Sequence, residues 1–257
     1  MPAVPIVRAV LLDVGGIFHL PDHAHVIGAF ARAEVTVDAA VLDRAHYAGT
    51  TAFPMDYAGE LPWDEMWAAY LEAYVDECGV PDDRRAGTLE HLHQEFATAA
   101  LWTRLVPGSP EALRALDATG VAIGIVSNAD GSVAERLREQ EVLQVGPGLG
   151  VQVETIIDSG AVGITKPDPR IFHLALDALD VQPDDAIYVG DMPAIDVVGA
   201  RKAGIRPVLM DPYGLHGGID CERVTSLHDV AALVNDGLRD PGRAEPPDSA
   251  TDGKLRR

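Results

Sequence analysis

The sequence predicts an α/β fold, a doubly wound parallel sheet interrupted once by an all-helical insertion. Three observations carry this. From about residue 104 onward, short apolar runs alternate with stretches of helical period, the order that builds a parallel sheet covered on both faces. Apolar runs end in polar residues: VRAVLLD at Asp13, VAIGIVSN at Ser127 and Asn128, and AIYVGD at Asp191. Between the first run and the alternating part, residues 20–103 carry almost no strand signal.

Taken in order, Val7-Arg8-Ala9-Val10-Leu11-Leu12 is short, partly branched, and closed by Asp13 and the pair Gly15-Gly16, which reads as a buried strand. Within 20–103, Trp63, Met66, Trp67, Tyr70, Leu71, Tyr74 and Val75 recur at helical spacing, with Gly79 as the stop, and Leu89, Leu92 and Phe96 mark a second helix. Ser109-Pro110-Glu111 starts a helix with a capping residue and a proline in its first turn; Leu113 and Leu116 are its apolar face and Gly120 its end. Residues 121–126 form a strand, and a helix runs through Val133 and Leu137. The glycine-rich loop 146–150 leads to a strand at 153–157, and Asp168-Pro169 opens a helix carrying Ile171, Phe172, Ala175, Leu176 and Leu179. A strand at 186–189 ends in Gly190-Asp191, a helix from Pro193 stops near Gly204, and 205–210 is a further strand. The expected domains are a core of 1–19 and 104–238, a helical unit of 20–103, and a disordered tail of 239–257 rich in Pro, Asp, Gly and Arg.

Composition narrows the function classes. The 257 residues are 47% hydrophobic and 23% charged, an ordinary globular balance. Twenty Lys and Arg against 40 Asp and Glu give a formal net charge of -20, a field that repels phosphate backbones and argues against a nucleic-acid partner. A phosphorylated ligand therefore needs a local positive charge from a metal or a lysine. No run reaches the roughly 18 apolar residues that span a bilayer, and residues 1–10 lack a signal-peptide pattern. Cys78 and Cys221 are too few for a disulfide framework and lack metal-site spacing. These features predict a cytoplasmic protein with no membrane partner; oligomeric state leaves no signature in the sequence.

In open parallel sheets, ligands bind beyond the carboxyl ends of the strands. Asp13, Ser127, Asn128 and Asp191 fall there, Lys166 lies in the loop before the helix at Pro169, and Asp196 lies five residues beyond Asp191. Each acid alone is as readily a helix cap; their joint placement at one edge predicts a site. Asp13 and Asp191 are hard oxygen ligands suited to magnesium. A carboxylate can attack phosphorus to form an aspartyl-phosphate. Ser127, with Asn128 beside it, is placed to hydrogen-bond a phosphoryl oxygen, and Lys166 supplies fixed positive charge. Gly15 and Gly16 let backbone N–H groups approach a phosphate.

These motifs resemble the haloacid dehalogenase (HAD) superfamily: LLDVGGIF, IVSN, VGITKPDPRIF and YVGDMPAIDVVGARKAGI follow its order and spacing from Asp13 to Gly204. The resemblance implies a Rossmann-like core with a helical cap inserted after the first motif. It implies Asp13 as nucleophile, Ser127 and Lys166 as phosphate-binding groups, and Mg²⁺ held by Asp13, the Gly15 carbonyl and Asp191, with Asp196 supporting the metal's water or Lys166. The implied activity is hydrolysis of a small-molecule phosphate monoester.

One position departs from the family pattern. Its phosphatases usually carry a second Asp two residues after the nucleophile, which protonates the leaving group and then activates water; here that residue is Gly15, and the usual Thr two residues further is Ile17. General acid–base help is worth about 10²–10⁴-fold. The change predicts a slow enzyme, one that favours good leaving groups such as anomeric, aryl or acyl phosphates, or one in which another group serves. His19, His23 and His25 follow the first motif and are the candidates, unless they are surface histidines. The stripe Trp63, Trp67, Tyr70, Tyr74 is either packed core or a surface for rings, while His46, Tyr47 and Phe53 lie in a less periodic stretch facing the cleft or the interior. Two other readings are a dehalogenase, with Arg32 or Arg44 cradling halide, and a silent protein that keeps ligand binding without turnover.

Overall fold

The computed structural model describes residues 7–55, 63–98 and 101–238. The tail assigned to 239–257 and the side chain of Trp63 lie outside the described set. Strands are β1 (Ala9–Leu12), β2 (His19–Pro21), β3 (Trp102–Leu105), β4 (Ala122–Ser127), β5 (Leu143–Val145), β6 (Val151–Val153), β7 (Thr155–Asp158), β8 (Ala186–Gly190), β9 (Arg206–Met210) and β10 (Glu222–Val224). Helices are α1 (His23–Arg32), α2 (Ala39–Thr50), α3 (Trp63–Glu77), α4 (Asp82–Phe96), α5 (Ser109–Asp117), α6 (Val133–Glu139), α7 (Ser159–Val162), α8 (Pro169–Leu179), α9 (Val198–Lys202) and α10 (Leu227–Leu238). No helix among the described residues is long and apolar enough to cross a membrane.

The main sheet has the order β10-β9-β8-β1-β4-β7, and each neighbouring pair is parallel. β1 sits in the middle because all four of its side chains are apolar and fully buried. Val10 and Leu12 enter one core with Leu113 and Leu116 of α5 and Val230 and Val234 of α10. Ala9 and Leu11 enter the opposite one with Phe172 of α8 and Ala200 of α9. A strand buried on both faces reads as a continuous apolar run rather than an alternating one, and each fully buried Leu contributes about 1.5–3 kcal/mol. The chain leaves β1 toward β4 and β7, then returns to β8 on the other side. The strand order therefore reverses at β1, and a crevice opens beyond its carboxyl end.

The described residues between 19 and 105 form a second packing layer. β2 and β3 pair antiparallel at its base, and Val26, Phe30, Leu42, Tyr70, Tyr74, Leu92 and Phe96 from the four helices make its core. Ala194 and Ile195, just past β8, pack into this same cluster and tie it to the sheet edge. The helices α1 and α2 are each capped by an aspartate: Asp22 accepts from Ala24 N and His25 N, and Asp38 from Ala40 N.

The structure departs from expectation in local detail. Ser109 is the first helical residue rather than the cap; Gly108, at φ 79°, precedes it, and the Ser109 hydroxyl donates to the Val106 carbonyl. The expected strand at 153–157 is split, with Val151–Val153 pairing to β5 and Thr155–Asp158 to β4. The helix expected from Pro193 begins as a π-helical turn, Pro193–Val197, before α9. That extra residue turns the Asp196 carboxylate back to accept from Met192 N at 2.9 Å.

Candidate active site

Asp13 follows β1, Ser127 ends β4, and Asp191 follows β8, so adjacent parallel strands deliver all three to one sheet edge. Lys166 reaches the same place from the loop before α8, and Asp196 from the π-helical turn. All five are buried. The Lys166 ammonium uses its three N–H donors within this cluster: Asp13 Oδ2 at 2.9 Å, Asp196 Oδ1 at 2.8 Å and the Tyr188 hydroxyl at 2.8 Å. Burial alone would lower the lysine, but the carboxylates of Asp13 and Asp196 outweigh it and hold its pKa above the usual range. Two carboxylates hold one ammonium, and Asp191 stands close to both of them. Burial pushes Asp13 up to about 7; Lys166 opposes this, and Asp196 and Asp191 add to it.

Asn128 clamps the Lys166 backbone from both ends of its amide: Oδ1 accepts from Lys166 N at 2.8 Å and Nδ2 donates to Lys166 O at 3.1 Å. Both oxygens of Asp196 are engaged, one with Lys166 and Tyr188, the other with Met192 N. Gly190 permits this approach, because an added Cβ would lie 2.3 Å from Asp196 Cγ. Gly16 sits at φ 66°, and a Cβ there would lie 2.4 Å from Asp191 Cγ. Gly15 differs: its Cβ position meets no heavy atom within 4 Å and its φ lies outside the left-handed region, so the missing side chain is not required by packing.

His46 of α2 reaches into this cluster from the helical layer. Its Nε2 is 2.9 Å from Asp191 Oδ2 and its Nδ1 is 2.8 Å from the Tyr70 hydroxyl, all buried. The next residue, Tyr47, donates its hydroxyl to the Gly16 carbonyl at 2.6 Å. His46 thus faces the cleft, Tyr47 is buried in the main core, and Phe53 is buried within the helical layer. Of the three histidines after the first motif, His23 pairs with Asp43 and His25 with Glu95, away from the cleft. His19 is buried, with Nε2 2.6 Å from Gln140 Oε1, and burial pushes its imidazole below the usual range. Arg32 and Arg44 pair with Glu95 and Glu77. Ile17 is fully buried in the main core.

A cavity of about 780 Å³ joins the sheet edge to the helical layer. Asp13, Gly15, Ser127, Lys166 and Asp191 line its floor. Trp67, Tyr70, Phe96 and Trp102 line its upper wall, and neither Arg32 nor Arg44 is among the lining residues. Tyr74, by contrast, is packed core. Sequence reasoning missed Tyr188, the second partner layer around Lys166. It also missed Asp158, whose carboxylate holds the Ser127 loop through Gly131 N and Val133 N.

Asp13, Asp191 and Asp196 each offer an oxygen, and these atoms lie within 4.8 Å of one another. Asp13 Oδ1 is buried without a hydrogen-bond partner. An unpartnered buried carboxylate oxygen beside a second carboxylate is what a hard divalent cation such as Mg²⁺ satisfies, so the residues present fit that ion.

A phosphoserine phosphatase of Thermus thermophilus is 34% identical over 223 residues, covering 81% of this chain and 83% of its own. The magnesium-bound HAD-hydrolase YfnB of Bacillus subtilis superposes with a TM-score of 0.55 at 18% identity, over 90% of this chain and 99% of its own. A 2-haloacid dehalogenase of Pseudomonas syringae gives 0.51 at 18%, over 90% and 99%; likeness at this identity speaks to the fold alone. Residues 7–204 match the family described as haloacid dehalogenase-like hydrolase, and the chain belongs to that family of hydrolases.

Proposed function

We propose that the protein is a Mg²⁺-dependent phosphatase of small-molecule phosphate monoesters, with Asp13 as covalent nucleophile and the helical layer 20–103 as a cap over the site. The observation that carries this reading is the asymmetry of Asp13: Oδ2 is fixed by Lys166 at 2.9 Å, while Oδ1 is buried and unpartnered at the cavity floor. Asp13, Asp191 and the Gly15 carbonyl would hold the ion, with Asp196 behind them. When bound, the ion supplies charge neutralisation for the phosphoryl group.

The chain's own residues supply the rest. Lys166 neutralises part of the substrate charge and keeps Asp13 oriented, itself fixed by Asp196, Tyr188 and the Asn128 clamp. Ser127, with the backbone of Gly15 and Gly16, is placed to donate to phosphoryl oxygens. The aromatic upper wall excludes water during attack. The phosphoserine phosphatase relative supports a phosphate monoester as substrate. The dehalogenase alternative is the less supported, since Arg32 and Arg44 are paired elsewhere. The test is phosphate release from a metabolite panel with and without Mg²⁺. Turnover that needs the ion and is lost in Asp13→Asn is expected; turnover that survives Asp13→Asn, or metal-independent halide release from 2-haloacids, refutes the reading.

A further inference from the structure

We infer that the preferred substrate is an aryl phosphate, a monoester whose leaving oxygen sits on an aromatic ring. This deepens the phosphatase reading and rests on it. Two independent observations converge.

The first concerns the leaving group. The residue two past Asp13 is Gly15, and the space its side chain would take is open. Of the histidines buried at the cavity, His46 is held between Tyr70 and Asp191, and His19 donates its Nε2–H to Gln140 Oε1, which leaves its unpartnered Nδ1 without a proton to give. The departing oxygen therefore leaves without a proton from the first motif. A phenol of the tyrosine type has a pKa of about 10, whereas an aliphatic hydroxyl lies nearer to water's ~15.7. Only the former is a good leaving group unassisted.

The second concerns the wall. Trp67, Tyr70, Phe96 and Trp102 line the cavity and brace one another, with neighbouring centroids between 4.9 and 6.1 Å. Trp67 and Trp102 are half-buried and can meet an arene by edge or face, backed by the buried Tyr70 and Phe96, and about 780 Å³ admits one.

The chemistry balances. Asp13 attacks phosphorus, the P–O(aryl) bond breaks, and its electron pair leaves as phenolate. Water then attacks the aspartyl-phosphate, the P–O(Asp13) bond breaks, and the pair returns to the carboxylate. The phosphate keeps both water protons and passes one to the phenolate, so aryl phosphate plus water gives phenol plus hydrogen phosphate.

The experiment compares kcat/KM of the Mg²⁺-loaded protein for 1-naphthyl and phenyl phosphate with that for ethyl phosphate and O-phosphoserine. The expected result is a preference of at least about 100-fold for the aryl esters, the lower end of what a missing general acid withholds. Trp67→Leu should raise KM for 1-naphthyl phosphate about three- to tenfold relative to ethyl phosphate. Asp13→Asn, titrated with 1-naphthyl phosphate and O-phosphoserine, reads binding without turnover and should hold the former about tenfold more tightly. Equal or better hydrolysis and binding of the alkyl esters overturns the aryl assignment and leaves the phosphatase reading standing. No hydrolysis of any ester with Mg²⁺ bound overturns both.

Discussion

Replacing Gly15 by Asp should supply the proton transfer that a glycine side chain cannot. The site tolerates the change: an added Cβ meets no heavy atom within 4 Å, and Gly15 is not in the left-handed region that Gly16 occupies at φ 66°. Losing glycine's freedom in the unfolded chain is worth about 0.4–1 kcal/mol where the backbone already fits, so the variant should fold as well as the parent. The new carboxyl would stand on the wall of a cavity already lined by Asp13 and Asp191, and negative neighbours raise a carboxyl's proton affinity. A carboxyl that holds its proton near neutral pH is what a general acid needs. The gain should be about 10²–10⁴-fold in kcat/KM for alkyl phosphates, equal to ~2.7–5.5 kcal/mol of barrier. It should be small for 4-nitrophenyl phosphate, whose leaving group needs no proton. The assay is a series of esters graded by leaving-group pKa; the slope of log kcat/KM against that pKa should flatten in Gly15→Asp. An unchanged slope, with Mg²⁺ affinity intact by calorimetry, refutes the reasoning.

Other outcomes follow from the same contacts. In His46→Leu, Asp191 Oδ2 and the Tyr70 hydroxyl lose their partner; Mg²⁺ affinity should fall about 10–100-fold, and unchanged affinity by calorimetry would remove His46 from any part in orienting Asp191. Lys166→Met leaves Asp13 Oδ2 and Asp196 Oδ1 buried without their cation, at a cost of about 3–5 kcal/mol; urea titration should show it more strongly at pH 8 than at pH 5, and a loss below about 1 kcal/mol would contradict the account. Burial pushes the Asp13 carboxyl up from its ordinary 3.8 to about 7, against the pull of Lys166. Its proton is therefore bound more tightly in the folded than in the unfolded chain, and the metal-free protein should lose stability as pH rises from about 4 to about 7. Over the upper part of that window, Mg²⁺ must displace the proton, so affinity should climb by up to about tenfold per pH unit and level off above 7; a flat profile would show Asp13 already ionised.

How much of this was legible in the sequence depends on the range of the interaction. The run VRAVLLD announces a strand buried on both faces, because residues adjacent in the chain must each find a core, and β1 does. Parallel strands then bring their carboxyl ends to one edge by geometry alone. Asp13, Ser127 and Asp191 could therefore be grouped without coordinates, and Lys166 with Asp196 by family resemblance. Local rules failed where a tertiary contact overrode them: Asp196 facing Lys166 goes with a π-helical turn in place of a plain helix.

What the sequence by itself determined is the layered α/β core and the placement of Asp13, Ser127 and Asp191 at its edge, since both follow from periodicity and strand polarity. Only the tertiary structure decided how those charges are held. Tyr188 and Asn128 around Lys166, and His46 on Asp191 across 145 positions, come together through packing between elements. No spacing in the chain encodes such meetings; they exist because the helical layer, docked through Ala194 and Ile195, lowers α2 onto the end of β8.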